Sequence, residues 1–267
     1  MIRFEHVDFS IGDKQILRDV SFRVPQGTTK IILGPSGIGK STALRLILGL
    51  MRPDRGDIRV DGESVVGADR EKLNAIRQGI GMVFQDGALF DSQTVGENVG
   101  YWRLENSDEG MEQIEAVARE KLALVGLDPD LIDAMPDELS IGMQRRVAIA
   151  RALASGNPKI ILYDEPTTGL DPNSLELVTD AILRLRDDLG MTSIVVTHQI
   201  PDALKVGTDY LFLFDKTVHF EGDARALAQS QDPALVAFLE PFKKSLAGAV
   251  ENFDDTGRAA AARTREP

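Results

Sequence analysis

The chain of 267 residues contains no cysteine and no long apolar run. Without cysteine there can be no disulfide framework and no thiol chemistry, which fits a reducing compartment. The longest apolar runs, such as residues 160–163, fall far short of the roughly 20 residues that a helix needs to span a bilayer. Residues 1–6 also lack an apolar signal region. We therefore expect a protein that is soluble by itself.

Positive charge is scarce as well. The sequence has 30 Lys and Arg residues against 42 Asp and Glu residues, a net charge of −12. Phosphate backbones and anionic lipid surfaces repel such a protein on average. The charge therefore disfavours a nucleic-acid partner. If the protein works at a membrane, we expect it to dock onto another protein there and not onto lipid headgroups.

Apolar patterns predict an α/β fold. Period-two patterns predict strands over residues 2–7 and 20–24, in an antiparallel piece. Farther along, short apolar runs alternate with helical spacings, which predicts a parallel sheet covered by helices. The predicted strands of this sheet are residues 30–33, 80–84, 160–163, 193–197 and 210–214. The predicted helices around it are residues 41–50, 174–189 and 232–239.

The middle of the chain changes character. Helical spacing of apolar residues over 108–125 and 140–153 predicts a helical subdomain inserted between two α/β halves. We expect a discontinuous core, this insert, and a C-terminal extension whose tail, residues 254–267, is disordered. The predicted bounds are residues 1–85 and 151–225 for the core, 86–150 for the insert and 226–267 for the extension.

A glycine-rich loop follows the strand predicted over residues 30–33. Residues 34–41 match the pattern G-x-x-x-x-G-K-[ST], and a helix is predicted directly after them. In such a loop, backbone N–H groups surround a phosphate, the lysine (here Lys40) reaches the β- and γ-phosphates, and the serine (here Ser41) ligates Mg²⁺. The strand before and the helix after disfavour a chance match. The candidate nucleotide-binding residues are Gly34, Pro35, Ser36, Gly37, Ile38, Gly39, Lys40, Ser41 and Thr42.

Two carboxylates end the strand predicted over residues 160–163. Asp164 and Glu165 lie at its C-terminal end, where ligands collect in parallel sheets. Asp164 suits the Mg²⁺ shell, and Glu165 suits a general base or a water-orienting group. A helix-capping role is the alternative. It is disfavoured because Gly169 and Pro172 follow, and the next helical pattern starts only near Ser174.

Polar residues follow two further strands. His198 comes after the strand 193–197, on the same loop side as Asp164, where it could contact the γ-phosphate. His6 and His219 are interpreted as structural or surface residues. Gln85 follows the strand 80–84 and opens the insert, so its amide could ligate Mg²⁺ or hold the attacking water. Ser140 opens a predicted helix as an N-cap. The same helix N-terminus could bind a phosphate, which need not belong to the same subunit.

Together these residues resemble the ABC ATPase family over about residues 1–225. The family's motifs fall on the sequence in the family's order: the Walker A loop on residues 34–41, the Q-loop on Gln85, the signature on residues 139–143, Walker B on residues 160–164, the catalytic glutamate on Glu165, the D-loop on residues 169–171 and the switch histidine on His198. The resemblance implies a P-loop NTPase (RecA-like) core with an antiparallel β subdomain and an inserted α-helical signature subdomain.

The resemblance also implies a second copy of the chain. In the family, two subunits pair head to tail, and each ATP lies between one Walker A loop and the opposite signature helix. Ser140, Gly142 and Asp171 would then join the nucleotide-binding set from the opposite side. Two departures stand out: Ile141 replaces the first signature glycine, and Ile11 stands where an aromatic residue is expected to stack on adenine. Phe9, two residues earlier, is the alternative stacking residue.

A narrower resemblance concerns the cargo. Residues 138–148, 164–166, 99–101 and 232–239 resemble the ATPases of Mla- and Mce-type phospholipid transport systems. This implies an ATPase that drives an integral membrane permease, with further lipid-binding subunits, from the cytoplasmic face of the inner membrane. In that family the residues beyond the core can clasp the partner subunit, and residues 226–267 could do the same. A surface helix with a free tail is the equal alternative.

Three functions follow from these observations. The first is the energy-coupling ATPase of a lipid transporter, with its permease docked near Gln85, Tyr101 and Trp102. Those two aromatics could instead belong to the core of the insert. The second function is the same ATPase serving a non-lipid cargo. The third, a soluble ABC protein acting on ribosomes or DNA, is disfavoured by the acidic charge and by the single Walker A loop.

Overall fold

The structure is a computed structural model that describes residues 1–251. The tail predicted to be disordered, residues 254–267, lies outside the described residues. Within residues 1–251, no helix has both the length and the apolar character needed to cross a bilayer.

An antiparallel sheet of four strands opens the fold, in the spatial order β2-β1-β4-β5. Its strands are β1 (Ile2–Ile11), β2 (Lys14–Val24), β4 (Arg55–Val60) and β5 (Glu63–Ser64). The antiparallel pairing of the first two strands confirms the prediction, but both are longer than predicted. Register shifts interrupt the ladder between β1 and β2, and His6 and Asp19 have positive φ. These irregularities break the period-two pattern on which the prediction depended.

A second sheet of six strands has the order β10-β9-β3-β8-β7-β6, with β10 antiparallel to its neighbour and the others parallel. Its strands are β3 (Thr29–Leu33), β6 (Ile80–Val83), β7 (Ile160–Asp164), β8 (Thr192–Val196), β9 (Asp209–Phe214) and β10 (Thr217–Gly222). The five predicted strands are confirmed to within one residue at each end. The sequence prediction lacked β10, an edge strand with no fully buried residue.

Alternate residues of the parallel strands enter two separate apolar cores. On β7, Ile160 and Leu162 belong to the core shared with the antiparallel sheet. Ile161 and Tyr163 belong to the core shared with the helices on the other face. The helices that pack around the sheet are α1 (Lys40–Ile47), α2 (Arg70–Gln78), α6 (Pro172–Asp187) and α7 (Ile200–Val206).

The predicted insert contains three α-helices: α3 (Val95–Asn106), α4 (Met111–Leu124) and α5 (Ile141–Ala154). The last two were predicted, but α3 was not. The buried face of α3 includes Asn98, whose side chain accepts from the Phe90 N–H and donates to three backbone carbonyls. A polar residue at a core position conceals the helical period. The division of the chain at residues 86 and 150 stays a prediction, and the second boundary falls within α5.

Three short helices form the described part of the C-terminal extension: α8 (Ala224–Gln229), α9 (Pro233–Leu239) and α10 (Lys243–Glu251). The predicted helix over residues 232–239 is confirmed as α9. Helix α10 packs against α7 and α8, and Leu246 of α10 is buried in the same core as Ile200 of α7. These helices are therefore part of the folded body.

Candidate nucleotide-binding and hydrolysis site

The loop between β3 and α1 has the backbone shape that its glycines permit. Gly34, Gly37 and Gly39 all have positive φ, at 149°, 77° and 110°. A Cβ on Gly34 would lie 2.4 Å from the carbonyl oxygen of Leu213, so only glycine fits there. Helix α1 begins at Lys40 without a side-chain cap. Its first backbone N–H groups are therefore available to an anion.

Lys40 closes back over this loop. Its ammonium group donates to the carbonyl oxygens of Gly34, at 2.8 Å, and Pro35, at 3.1 Å. Burial lowers the pKa of Lys40, and the charges of Glu165 and Asp164 oppose that shift. The loop thus holds one positive charge that is only partly hydrated and lies near two carboxylates. This arrangement suits the binding of a polyphosphate.

The side chains of Ser41 and Asp164 meet beside the loop. Ser41 Oγ donates to Asp164 Oδ1 at 2.7 Å. Burial raises the pKa of Asp164, the bond from Ser41 lowers it, and the charge of Glu165 raises it. Among the described residues, no group of three or more His, Cys, Asp or Glu side chains could hold a metal. A hydroxyl and one carboxylate fit Mg²⁺, which keeps waters and takes its other ligands from substrate phosphates.

Glu165 and His198 are in direct contact. Nδ1 of His198 lies 2.9 Å from Oε2 and 3.0 Å from Oε1 of Glu165. A carboxylate only accepts hydrogen bonds, so this contact requires a proton on Nδ1. The Thr168 hydroxyl also donates to Glu165 Oε2, at 3.0 Å. The sequence did not single out Thr168, because one hydroxyl in a loop carries no distinguishing pattern.

Strand order places three predicted site residues at one edge of the sheet. Strands β6, β7 and β8 are neighbours, and Gln85, Glu165 and His198 follow them in that order. Gln85 is exposed in a turn, and the described contacts include none between its side chain and Ser41 or Asp164. Its predicted role as a Mg²⁺ ligand stays a prediction.

Helix α5 anchors the loop that follows Gln85. The Arg151 guanidinium donates to the carbonyl oxygens of Gly87, at 2.8 Å, and Ala88, at 2.7 Å. It also lies over the ring of Phe90, 5.8 Å from the centroid. Burial lowers the pKa of Arg151. No pattern in the sequence indicates this link, because a single arginine on a helix is usually a surface residue.

The helix N-terminus at Ser140 does not touch the glycine-rich loop through any described contact. Ser140 caps α5, and its hydroxyl accepts from the Met143 N–H at 3.3 Å, which confirms the predicted N-cap. Gly142 is buried against α6, where an added Cβ would lie 2.4 Å from Ser174 Oγ. Asp171 caps α6 by accepting hydrogen bonds from the N–H groups of Asn173 and Ser174. Helix α6 therefore begins at Pro172, two residues earlier than predicted.

The two positions considered for adenine stacking, residues 9 and 11, differ in solvent exposure. Phe9 is only 6% exposed and belongs to the core of the antiparallel sheet, so it is not available for stacking. Ile11, at the end of β1, is 55% exposed. The remaining histidines are paired on the surface, His6 with Asp19 and His219 with Asp232. Both therefore fit the predicted structural role.

The fold and this set of residues agree with what is known of related proteins. The profile of the ABC transporter family matches residues 17–168. The chain is 38% identical over 240 residues to the intermembrane phospholipid transport system ATP-binding protein MlaF of Escherichia coli strain K12, covering 90% of this chain and 88% of that protein. It is 36% identical over 250 residues to the probable ribonucleotide transport ATP-binding protein mkl of Mycobacterium tuberculosis strain H37Rv, covering 94% and 69%.

Solved structures of two related proteins also superpose on this chain. An ATP-binding cassette solved as a dimer, in a post-hydrolysis state bound to ADP and Pi, superposes with a TM-score of 0.74 at 35% identity. That match covers 83% of this chain and 97% of the other. The cbiO1 component of an ABC transporter complex from Clostridium perfringens superposes with a TM-score of 0.78 at 25% identity, covering 94% and 98%.

Proposed function

Because the chain belongs to the ABC transporter family of ATPases, we propose that it is the energy-coupling subunit of a transporter that moves phospholipid or another lipid. The observation that carries this proposal is the 38% identity to MlaF over 90% of this chain. That protein is the ATP-binding subunit of a phospholipid transport system.

In the proposed site, ATP binds to the loop after β3. Backbone N–H groups of the loop residues other than Pro35 surround the β-phosphate, and Lys40 replaces its contacts to Gly34 and Pro35 with contacts to the β- and γ-phosphates. Mg²⁺ would be held by Ser41 and Asp164, with Gln85 as a further ligand, and would supply charge compensation for the phosphates. The hydrogen bond between Ser41 and Asp164 supports this choice of ligands, because it brings a hydroxyl and a carboxylate into contact.

Hydrolysis in this proposal depends on Glu165 and His198. Glu165 accepts the proton of a water molecule, or orients that water, for in-line attack on the γ-phosphate. His198 donates from Nδ1 to Glu165 in this structure, so donation to the transferring phosphoryl group would use a second proton, on Nε2. Lys40 would compensate charge at the same group. The desolvated surroundings of Lys40 strengthen that interaction.

A second copy of the chain completes the proposed site. Ser140 and Gly142 at the start of α5, and Asp171 at the start of α6, would face the ATP bound by the other copy. Because Gly142 lies against Ser174, the N-termini of α5 and α6 are adjacent and form one surface. The dimeric form of the related ATP-binding cassette supports this arrangement.

The proposed contact with an integral membrane permease lies where the loop after Gln85 meets the insert. Phe84 and Phe90 are exposed large apolar side chains there. Tyr101 is partly buried and packs on Phe90, with ring centroids 4.6 Å apart. Exposed aromatics suit a protein interface. Docking through the permease would keep the protein on the cytoplasmic face of the inner membrane, together with lipid-binding subunits.

One experiment separates the proposed cargo from its alternative. The similarity to the mkl protein favours a ribonucleotide as the second candidate cargo. The chain would be co-purified with its membrane protein and reconstituted into vesicles with fluorescent phospholipid or labelled ribonucleotide. Phospholipid transfer that requires ATP and stops in the Lys40→Ala variant supports the lipid proposal. ATP-dependent movement of ribonucleotide alone would refute it.

A further inference from the structure

A buried hydrogen bond joins the loop that carries Glu165 to helix α7, which begins two residues after His198. Thr167 Oγ1 donates to Asp202 Oδ2 at 2.9 Å, and the two residues are 6% and 9% exposed. Burial raises the pKa of Asp202, while the bond from Thr167 and the charge of Lys205 lower it. The hydrolysis mechanism proposed above uses neither Thr167 nor Asp202. A buried acid with so few partners is unfavourable for stability.

The backbone of Glu165 is in an unfavourable conformation. Its φ is 51°, in the left-handed region, which is unfavourable for a residue with a Cβ. Pro166 follows, and a proline normally favours an extended conformation for the residue before it. The neighbouring structure must therefore hold Glu165 in place.

Two contacts bracket Glu165, and both lead to the same unit of structure. On the N-terminal side, the backbone N–H of Glu165 itself donates to the carbonyl oxygen of Val196, the last residue of β8, at 2.8 Å. On the C-terminal side, the hydroxyl of Thr167 donates to Asp202 of α7. His198 lies in the connection between β8 and α7. Glu165 is thus fixed, on both sides, to the segment that carries its histidine partner.

We propose that the hydrogen bond between Thr167 and Asp202 is a positioning contact for ATP hydrolysis, which keeps the Glu165 carboxylate aligned with His198. Thr167 and Asp202 act through Glu165 and do not touch the substrate. Without the bond, the chain after Pro166 is free to shift, and Glu165 relaxes toward an ordinary backbone conformation. ATP binding at the glycine-rich loop does not depend on this contact. The inference rests on the proposed catalytic role of Glu165.

The same region offers a matched control. Thr179 on α6 lines the same small cavity as Thr167 and Asp202 and is also buried. Its hydroxyl has no hydrogen-bond partner among the described residues. Replacing either threonine with valine changes the same atoms in the same cavity, but only at Thr167 does the change remove a hydrogen bond.

The test compares Thr167→Val, Asp202→Ala, Thr167→Ser and Thr179→Val in the full chain. We expect Thr167→Val and Asp202→Ala to lower kcat about tenfold or more, because small displacements of a catalytic group have large effects on rate. KM for ATP should stay within about twofold of wild type, since the Lys40 loop is untouched. Thr167→Ser keeps the donor and should retain most activity, and Thr179→Val should match wild type. Equal losses in the two valine variants would overturn the proposal.

A second comparison shows whether the effect passes through Glu165. Thr167→Val is combined with Glu165→Gln, and residual turnover is measured under single-turnover conditions. We expect the double variant to be no slower than Glu165→Gln alone. A further loss by the same factor as in the wild-type background would refute the positioning role. ATP binding by Glu165→Gln, together with its loss of turnover, reports on the proposed function separately.

Discussion

Gly142 is the residue for which the structure gives the most specific prediction. A Cβ added there would lie 2.4 Å from Oγ, 2.5 Å from Cβ and 3.3 Å from Cα of Ser174. Overpacking of this kind destabilises a protein by about 1–3 kcal/mol. The gain in helix propensity from glycine to alanine offsets up to about 1 kcal/mol of that. We therefore expect Gly142→Ala to lower the free energy of unfolding by about 1–2 kcal/mol, balancing these two effects.

The clash can be relieved from the other side. Ser174→Gly removes both atoms that lie within 3 Å of the new Cβ. A destabilisation of about 1–2 kcal/mol corresponds to a melting temperature lower by about 2–8 °C for a chain of this size. Thermal unfolding of the wild type, the two single variants and the double variant gives their coupling. Gly142→Ala should be much less destabilising in the Ser174→Gly background. A Gly142→Ala variant as stable as wild type would refute the close approach of α5 to α6.

The same four proteins test the role of Gly142 toward the nucleotide of a second copy. If the glycine matters only for packing on Ser174, the double variant should recover both stability and ATPase activity. If its surface also faces the other copy's ATP, the double variant should recover stability while its ATPase activity stays low. The outcome is read from kcat at saturating ATP, with the melting temperature measured on the same samples.

Three further predictions concern hydrolysis and dimerisation. Glu165→Gln should bind ATP and accumulate as a closed dimer with little turnover, as measured by phosphate release and light scattering; wild-type activity would remove Glu165 from catalysis. Ile141→Gly removes a side chain that is 58% exposed at the start of α5, so it should strengthen the ATP-dependent dimer several-fold; an unchanged dimer would show that Ile141 does not hinder closure. Deleting residues 252–267 leaves the packed helices α8–α10 in the chain and should weaken the dimer. If the dimer is equally stable without them, residues 252–267 do not clasp the partner.

The sequence predicted the strands of the parallel sheet and the glycine-rich loop after β3 well, because both depend on local patterns. A strand buried on both faces is mostly apolar, which locates β7 and β8 to within one residue, although β8 opens with the buried polar residues Thr192 and Ser193. The glycine-rich loop could be located because its spacing pattern of glycines, lysine and serine is the one that phosphate binding requires. The contact of Ser41 with Asp164 agrees with their predicted placement beside the same ligand, although 123 residues separate them.

Features that depend on contacts between distant residues could not be predicted. Helix α3 carries Asn98 at a buried position, and only its four hydrogen bonds to backbone groups make that position acceptable. Phe9 seemed a possible stacking residue until the fold placed it in a core. No sequence pattern singles out Asp202, because its proposed importance depends on Thr167, which is 35 residues away.

The two apolar cores on opposite faces of the parallel sheet have a consequence for how such a chain can diverge. Residues 160 and 162 face one core, and residues 161 and 163 face the other. Neighbouring positions on one strand therefore pack against different sets of side chains. A change of volume at Ile161 can be compensated only among the helices on its own face, and one at Ile160 only on the side of the antiparallel sheet. The helices of the insert can therefore change their core packing without disturbing α1, which follows the glycine-rich loop and packs on the opposite face of the sheet.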